Sequence, residues 1–336
     1  MEIQPLVMIF AALQVVVGLA LLVFASDIMV RGSAALAENL GISPLVVGLT
    51  IVAFGTSAPE LFVGVEAVVK GAPELAIGNV VGSNIANILL VVGLPAVIAP
   101  MTCAAPRLNH NMFIMILATL VFILLAFTGG GFGFFEGVAL VAALGVFLLY
   151  SGLRAQQDPD AAREILEFEE EIEATKSRPA LSVVMVIGGL AGLLLGANII
   201  VDGSVIMARG FGISEAVIGL TLVALGTSLP ELATAVAAAR RCECDVALGN
   251  VVGSNIFNIL GIIGISALFG RIPVPDSFFR VDLWVMLGSS VALLFFTLRA
   301  ATVRRMGGLL LVLAYAIYVA WLAFDGLAPT QMQGAI

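Results

Sequence analysis

Residues 48–89 of this chain return at 219–260, always 171 positions later and without a gap. Of the 42 paired positions, 25 are identical. Gly48-Leu49-Thr50 returns as Gly219-Leu220-Thr221, and Gly55-Thr56-Ser57-Ala58-Pro59-Glu60 returns as Gly226-Thr227-Ser228-Leu229-Pro230-Glu231. Gly78-Asn79-Val80-Val81-Gly82-Ser83-Asn84-Ile85 returns as Gly249-Asn250-Val251-Val252-Gly253-Ser254-Asn255-Ile256, and Asn87-Ile88-Leu89 as Asn258-Ile259-Leu260. Shared apolar composition does not align Pro, Glu, Asn and Ser at one offset. Upstream, Gly32-Ser33 and Gly41-Ile42-Ser43 match Gly203-Ser204 and Gly212-Ile213-Ser214, so the duplication reaches back beyond the motifs. Any fold for this chain must therefore accommodate two copies of one unit.

The medium of that fold follows from composition. The chain is 61% hydrophobic and 11% charged, with a mean hydropathy of +1.14. Soluble domains run near about 45–50% apolar and about 25% charged, so a water-soluble enzyme is excluded. The apolar runs are continuous rather than alternating, which points to helices and not to a barrel. Runs of span length predict ten membrane helices, near 5–26, 44–69, 74–98, 110–127, 133–152, 180–205, 215–239, 245–269, 281–299 and 305–324. The fold class expected is an all-α polytopic membrane protein with broken or kinked core helices. Residues 1–153 form a first five-helix repeat, 154–179 a linker and 180–336 a second five-helix repeat. Five is odd, so the second half enters the membrane from the opposite side and the repeats are inverted. The linker holds eight acids and four bases. Four of the 15 Lys and Arg residues fall on the N-terminal side and eleven on the other. The positive-inside rule then places both termini outside and the 154–179 loop in the cytoplasm.

Glu60 and Glu231 fall near the middles of the second and seventh spans. A carboxylate at midplane costs about 2.5–3.5 kcal/mol on insertion scales, so two at equivalent positions read as functional. Pro59 and Pro230 each remove a backbone donor and crowd the carbonyl four residues earlier, at Gly55 and Gly226. The helix is expected to kink or unwind there, and the freed carbonyls need a cavity or a cation as partner. Thr56, Ser57, Thr227 and Ser228 add hydroxyls in the same turn. On the third and eighth spans, Gly78-x-x-x-Gly82 and Gly249-x-x-x-Gly253 predict close helix approach. Ser83 and Asn87 share one helix face, as do Ser254 and Asn258. For Asn79, Asn84, Asn250 and Asn255 two readings stand side by side: polar glue between helices, or ligands. Every candidate ligand atom is oxygen, which selects Ca2+, Mg2+ or alkali ions over zinc or copper. The reluctant dehydration of Mg2+ argues against it as the main ion.

These duplicated motifs resemble the two alpha repeats of the cation/calcium exchanger superfamily, in particular its bacterial sodium/calcium antiporters. The resemblance spans both halves apart from 154–179 and the tail. It implies Glu60 and Glu231 as central cation ligands, with Thr56 and Thr227 giving backbone and hydroxyl oxygens to a Ca2+ site. By the same similarity Ser57, Ser83, Ser228 and Ser254, with the carbonyls of Ala53 and Ala224, complete Na+ sites, and Asn87 and Asn258 face the centre. It further implies that the first and sixth helices slide across the core as a gate. The Gly-rich run from Gly188 to Gly196 fits such a surface. The function implied is secondary antiport of Na+ against Ca2+ across the cytoplasmic membrane, normally extruding Ca2+. H+/Ca2+ or K+-dependent exchange is the alternative, and a channel is a more distant one. One departure stands out: some members carry aspartate where this chain has Asn258.

The transported ions are substrates, and no resident cofactor is expected. The lipid bilayer is the one partner implied; neither nucleic acid nor an obligate protein partner is indicated. With a single histidine, His110, the chain has no zinc-protease motif. Asp27 and Arg31, four apart, are expected to pair. Glu66 reads either as part of an access route or as an interfacial group. Cys242-Glu243-Cys244 reads as loop thiols, with soft-metal binding or redox chemistry as the alternative.

Overall fold

A computed structural model describes residues 5–40, 44–102, 108–155, 179–210, 224–300 and 302–332. The acidic stretch 156–178 and the repeat residues 211–223 lie outside these. The described chain is almost entirely helical. In order it comprises α1 (Pro5–Leu40), α2 (Pro44–Val47 continuing through Gly48–Val52 to Ala53–Thr56), α3 (Ala58–Val69) and α4 (Pro73–Ile98). Next come α5 (Leu108–Gly129), α6 (Phe134–Ala155), α7 (Pro179–Gly210), α8 (Ala224–Thr227) and α9 (Leu229–Arg240). The chain ends with α10 (Cys244–Phe269), α11 (Asp282–Ala300) and α12 (Arg305–Met332). Among the described residues seven helices are long and apolar enough to cross a membrane, or eight when the bent pair α2–α3 is counted as one span. Asp282–Leu298 is apolar but shorter. The expected span 215–239 is described only from Ala224 onward. Large apolar side chains such as Phe113, Leu117, Leu124 and Phe127 on α5 point outward, as a lipid-facing surface requires.

The first span was expected to end near residue 26, yet α1 runs 36 residues. That is about 54 Å, well beyond a hydrocarbon core of about 30 Å. No proline interrupts the chain between Pro5 and Pro44, so the helix continues through the polar turn at Asp27 and Arg31. α1 lies along α7, its counterpart in the second half, and the two run antiparallel. A Cβ on Gly203 would come 2.7 Å from the Ala11 carbonyl, one on Gly192 2.7 Å from Ala25 Cβ, and one on Gly32 2.7 Å from Met185 Cβ. Small residues thus line the seam, because lipid gives helices no hydrophobic reason to associate and backbone proximity must supply dispersion contact. Asn39 Nδ2 donates to Ser182 Oγ (3.0 Å), fastening the end of α1 to the start of α7.

Two short strand pairs reveal the same relation between the halves. β1 (Met101–Thr102) pairs antiparallel with β4 (Thr302–Val303), and β2 (Gly131–Phe132) with β3 (Ile272–Pro273). Met101 faces Val303 and Thr102 faces Thr302; Gly131 faces Pro273 and Phe132 faces Ile272. Exchanging each residue for its partner 171 positions away converts one register into the other. The glycine contacts repeat the exchange: a Cβ on Gly137 would lie 2.8 Å from the Gly264 carbonyl, and one on Gly308 2.6 Å from the Gly93 carbonyl.

The core sits where α4 and α10 cross the broken helices. Residues of α10 pack against α2 so closely that a Cβ on Gly253 would fall 2.4 Å from the Leu49 carbonyl and 2.8 Å from Ala53 Cβ. The Gly249-x-x-x-Gly253 expectation therefore holds at Gly253. At Gly82 a Cβ would meet nothing within 4 Å among the described residues. Its repeat-related neighbour, Leu220, lies outside them. Because backbone cannot yield as a side chain can, Gly253→Ala is expected to cost about 1–3 kcal/mol. Gly145→Ala, on an open face of α6, is expected to be neutral or stabilising by about 1 kcal/mol at most. Thermal unfolding in detergent checks both: a lowered Tm for the first and an unchanged or raised Tm for the second.

Candidate ion-binding site

The proline effect anticipated from sequence takes the form of a break. α2 ends at Thr56, Ser57 sits at φ −85°, ψ 8°, and α3 begins at Ala58 with Pro59 in its first turn. The two segments meet at 51°. Ser228 occupies the same conformation (φ −89°, ψ 1°) between α8 and α9. Each break presents the carbonyl end of one helix and the N–H end of the next. Glu60 and Glu231 lie in the first turns of α3 and α9, where the helix dipole favours negative charge. Thr56 and Thr227 close the helices before the breaks. The carbonyl of Ala53 accepts the Ser57 N–H (3.0 Å), which leaves it one lone pair for another partner.

α4 and α10 bring the remaining groups. Each contains a wider π-helical stretch, Asn87–Val92 and Phe257–Ile262, placed at or beside Asn87 and Asn258. α2 has one too, Gly48–Val52. Such bulges add a residue to a turn and so re-aim the side chains around them. Nothing in the residue pattern marked them.

The site is almost fully enclosed: Glu60 and Glu231 are each 1% exposed. Thr56, Ser57, Ser228, Ser83, Asn84, Asn87, Asn250, Ser254, Asn255 and Asn258 are buried with them. Ser57 Oγ donates to Glu231 Oε1 (3.1 Å), joining the break in one half to the carboxylate of the other. Thr56 Oγ1 donates to the Val52 carbonyl (3.1 Å) and lies 3.2 Å from Asn250 Oδ1. Asn87 Nδ2 donates to Asn255 Oδ1 (3.0 Å), and Asn255 Nδ2 to the carbonyl of Asn84 (3.3 Å). Thus Asn255 acts as glue between the halves, one of the two roles its sequence position allowed. Thr234, which the motifs did not single out, donates to the Pro230 carbonyl (2.8 Å) and steadies the first turn below Glu231.

Among the described residues several buried oxygens receive no hydrogen bond: Glu60 Oε2, Glu231 Oε2, Ser228 Oγ, Ser254 Oγ, Asn87 Oδ1 and Asn258 Oδ1. Buried acceptors without donors are costly in an ordinary core. Buried in the same helical core as two carboxylates, such oxygens have the chemistry that a hard cation requires. Asn87 is orientated for it, because its amide nitrogen is held by Asn255 while its oxygen stays unclaimed. The cross-half contacts are not reciprocal. Ser57 reaches Glu231, whereas its counterpart Ser228 makes no bond to Glu60; Asn87 reaches Asn255, whereas the Asn84 side chain has no partner among the described residues.

Asp27 pairs with Arg31 (2.5 Å) as expected, and also with Arg241, 214 residues away, a contact no local spacing could reveal. Glu66 pairs with Lys70 (2.5 Å). Cys242 is exposed and Cys244 buried, while Cys103 lies outside the described residues. Burial near Glu38 and Asp245 raises the Glu243 carboxyl above its ordinary range.

Comparison with known proteins agrees with this geometry. The chain matches the sodium/calcium exchanger protein family over residues 10–153 and 181–324, which together take in both halves and omit the linker. CaxA of Alkalimonas amylolytica is 37% identical over 325 residues, covering 93% of this chain and 98% of its own. The sodium/calcium exchanger MaX1 of Methanosarcina acetivorans is 32% identical over 336 aligned positions, covering 90% and 95%. A solved structure of the sodium-calcium exchanger NCX_Mj, soaked with Na+ and Sr2+, superposes with a TM-score of 0.80 at 34% identity, covering 93% of this chain and 99% of that one. The chain therefore belongs to the sodium/calcium exchanger protein family, and it is a membrane transporter rather than an enzyme.

Proposed function

We propose that the chain is a secondary antiporter that exchanges Na+ for Ca2+ across the cytoplasmic membrane by alternating access, normally extruding Ca2+. The observation that carries this reading is the set of unclaimed oxygens buried around Glu60 and Glu231. Two carboxylates neutralise one Ca2+, or most of the charge of two or three Na+, so the ions compete for one negative site. Glu60 and Glu231 are the central ligands of this proposal, with Thr56 and Thr227 on the Ca2+. Ser57, Ser83, Ser228 and Ser254, together with the carbonyls of Ala53 and Ala224, serve Na+. Asn87 and Asn258 face the centre.

The architecture proposed is ten membrane helices in two inverted five-helix repeats, residues 1–153 and 180–336, joined by the acidic linker 154–179 on the cytoplasmic side, with both termini outside. The antiparallel course of α1 and α7 and the exchanged strand registers support it. The unreciprocated contacts at the site support alternating access, which needs the two halves to hold different arrangements at any moment. The sliding of α1 and α7 as a gate fits their small-residue seam.

Radiocalcium uptake into Na+-loaded vesicles tests the exchange. Uptake is expected to require the outward Na+ gradient, and folded protein showing no Na+-dependent uptake would refute the reading. Glu60→Gln and Glu231→Gln are each expected to abolish exchange while leaving thermal stability near that of the parent. Substantial residual flux in either variant counts against the ligand assignment. Asn258→Asp adds a third carboxylate to the cage. Its exchange is expected to become inhibited at mildly acidic pH more strongly than that of the parent, because protons then compete at an added titratable ligand. Identical pH profiles would remove Asn258 from the centre.

A further inference from the structure

A cavity of about 700 Å3 lies between α1 and α9, outside the ion cage. Its walls are apolar: Leu22 and Val23 on one side, and Leu232, Ala233 and Val236 on the other. Its rim is polar and basic, formed by Asp27, Arg240 and Arg241. Val23 and Phe24 beside it are exposed in the protein alone, so the cavity opens sideways toward the surrounding lipid. From Arg240 down α9 to Leu229 is eleven residues, or about 16 Å of helix, close to half of a hydrocarbon core of about 30 Å. The cavity is thus one leaflet deep, apolar within and cationic at the interface.

We propose that this crevice holds one acyl chain of an anionic phospholipid, with the lipid phosphate at Arg240 and Arg241. Charge complementarity selects this occupant. Asp27 already engages Arg31 and Arg241, whereas Arg240 forms no ion pair among the described residues. A phosphate at the rim gains Arg240 and competes with Asp27 for Arg241, and bidentate guanidinium–phosphate bonding favours that arrangement. The same features disfavour a cation route, since the guanidinium groups repel cations at the mouth and apolar walls offer them no ligands. The floor of the crevice is Leu229, next to Ser228 and two residues before Glu231. A chain wedged there separates α1 from the helix that carries the second carboxylate, so occupancy by lipid modulates their relative movement.

Native mass spectrometry of the delipidated full-length protein, titrated with dioleoyl phosphatidylglycerol or dioleoyl phosphatidylcholine, tests the assignment. The parent is expected to retain one phosphatidylglycerol in preference to phosphatidylcholine. Arg240→Gln lowers that preference about five-fold, the effect of one basic side chain near an anionic surface. Ala233→Trp fills the crevice and abolishes retention of both lipids. Equal retention of the two lipids by the parent would overturn the proposal, as would unchanged retention in Ala233→Trp. Glycerophosphate displacing the lipid at equal concentration would point to a free-phosphate site, and a dimer lost in Ala233→Trp with lipid retention unchanged would point to a second copy of the chain. Loss of Ca2+ flux in that variant, again with retention unchanged, would make the crevice an ion route. Each of these last three results also overturns the proposal. Arg240→Gln is a surface change, so its lipid preference remains readable even where Ala233→Trp folds poorly.

Discussion

Two carboxylates are buried together in a medium that disfavours charge, and most of the molecule is arranged around that fact. Glu60 and Glu231 sit in the first turns of broken helices, out of reach of water. Nothing in an apolar bundle would keep such groups unless their charge were offset. The helix N-termini offset part of it. Ser57 offsets another part with a hydrogen bond to Glu231. The oxygens left without donors around them repel an anion and welcome a cation, so the site's stability and its proposed task rest on one electrostatic requirement.

The lack of reciprocity between the halves is the second physical theme. The sequence motifs are nearly identical, yet Ser57 bonds across to Glu231 while Ser228 makes no such bond to Glu60. Near-identical motifs thus hold unequal contacts, an asymmetry that the proposed alternating access would use by interchanging the roles of the halves. The long helices α1 and α7 are suited to such an interchange. Their seam sets glycines of each helix against the other, at Gly18, Gly32, Gly189, Gly192, Gly196 and Gly203, with larger side chains such as Leu22, Met29 and Ile200 packed between them. Toward the interface α1 is tied to the core by Asp27 and Arg241.

Much of this was legible in the residues. Pro59 and Pro230 marked the breaks at Ser57 and Ser228, because a missing N–H acts locally and needs no tertiary context. Gly253 signalled a close helix contact, although its partners Leu49 and Ala53 could not be named. The length of α1 was misjudged, because a hydropathy window ends where polar residues begin, whereas a helix ends only where its hydrogen bonding is interrupted. The π-helical turns at Asn87 and Phe257 were invisible, since they carry no residue signature. Asn255 was ambiguous for a similar reason: whether an amide bridges helices or faces an ion depends on what lies opposite.

By itself, the sequence determined that this is a helical membrane protein built from a duplicated unit, with a glutamate following a proline at matching places in each copy. Those conclusions rest on local chemistry: apolar length, missing backbone donors, and the high cost of a carboxylate in lipid. Only the tertiary structure decided which oxygens are buried without a donor, which amides join the halves instead, and that the two copies hold unequal contacts. It also placed Asp27 against Arg241 and opened a crevice between α1 and α9. These depend on segments some 170 to 214 residues apart being brought together, and the geometry of that meeting is fixed by packing that no local pattern encodes.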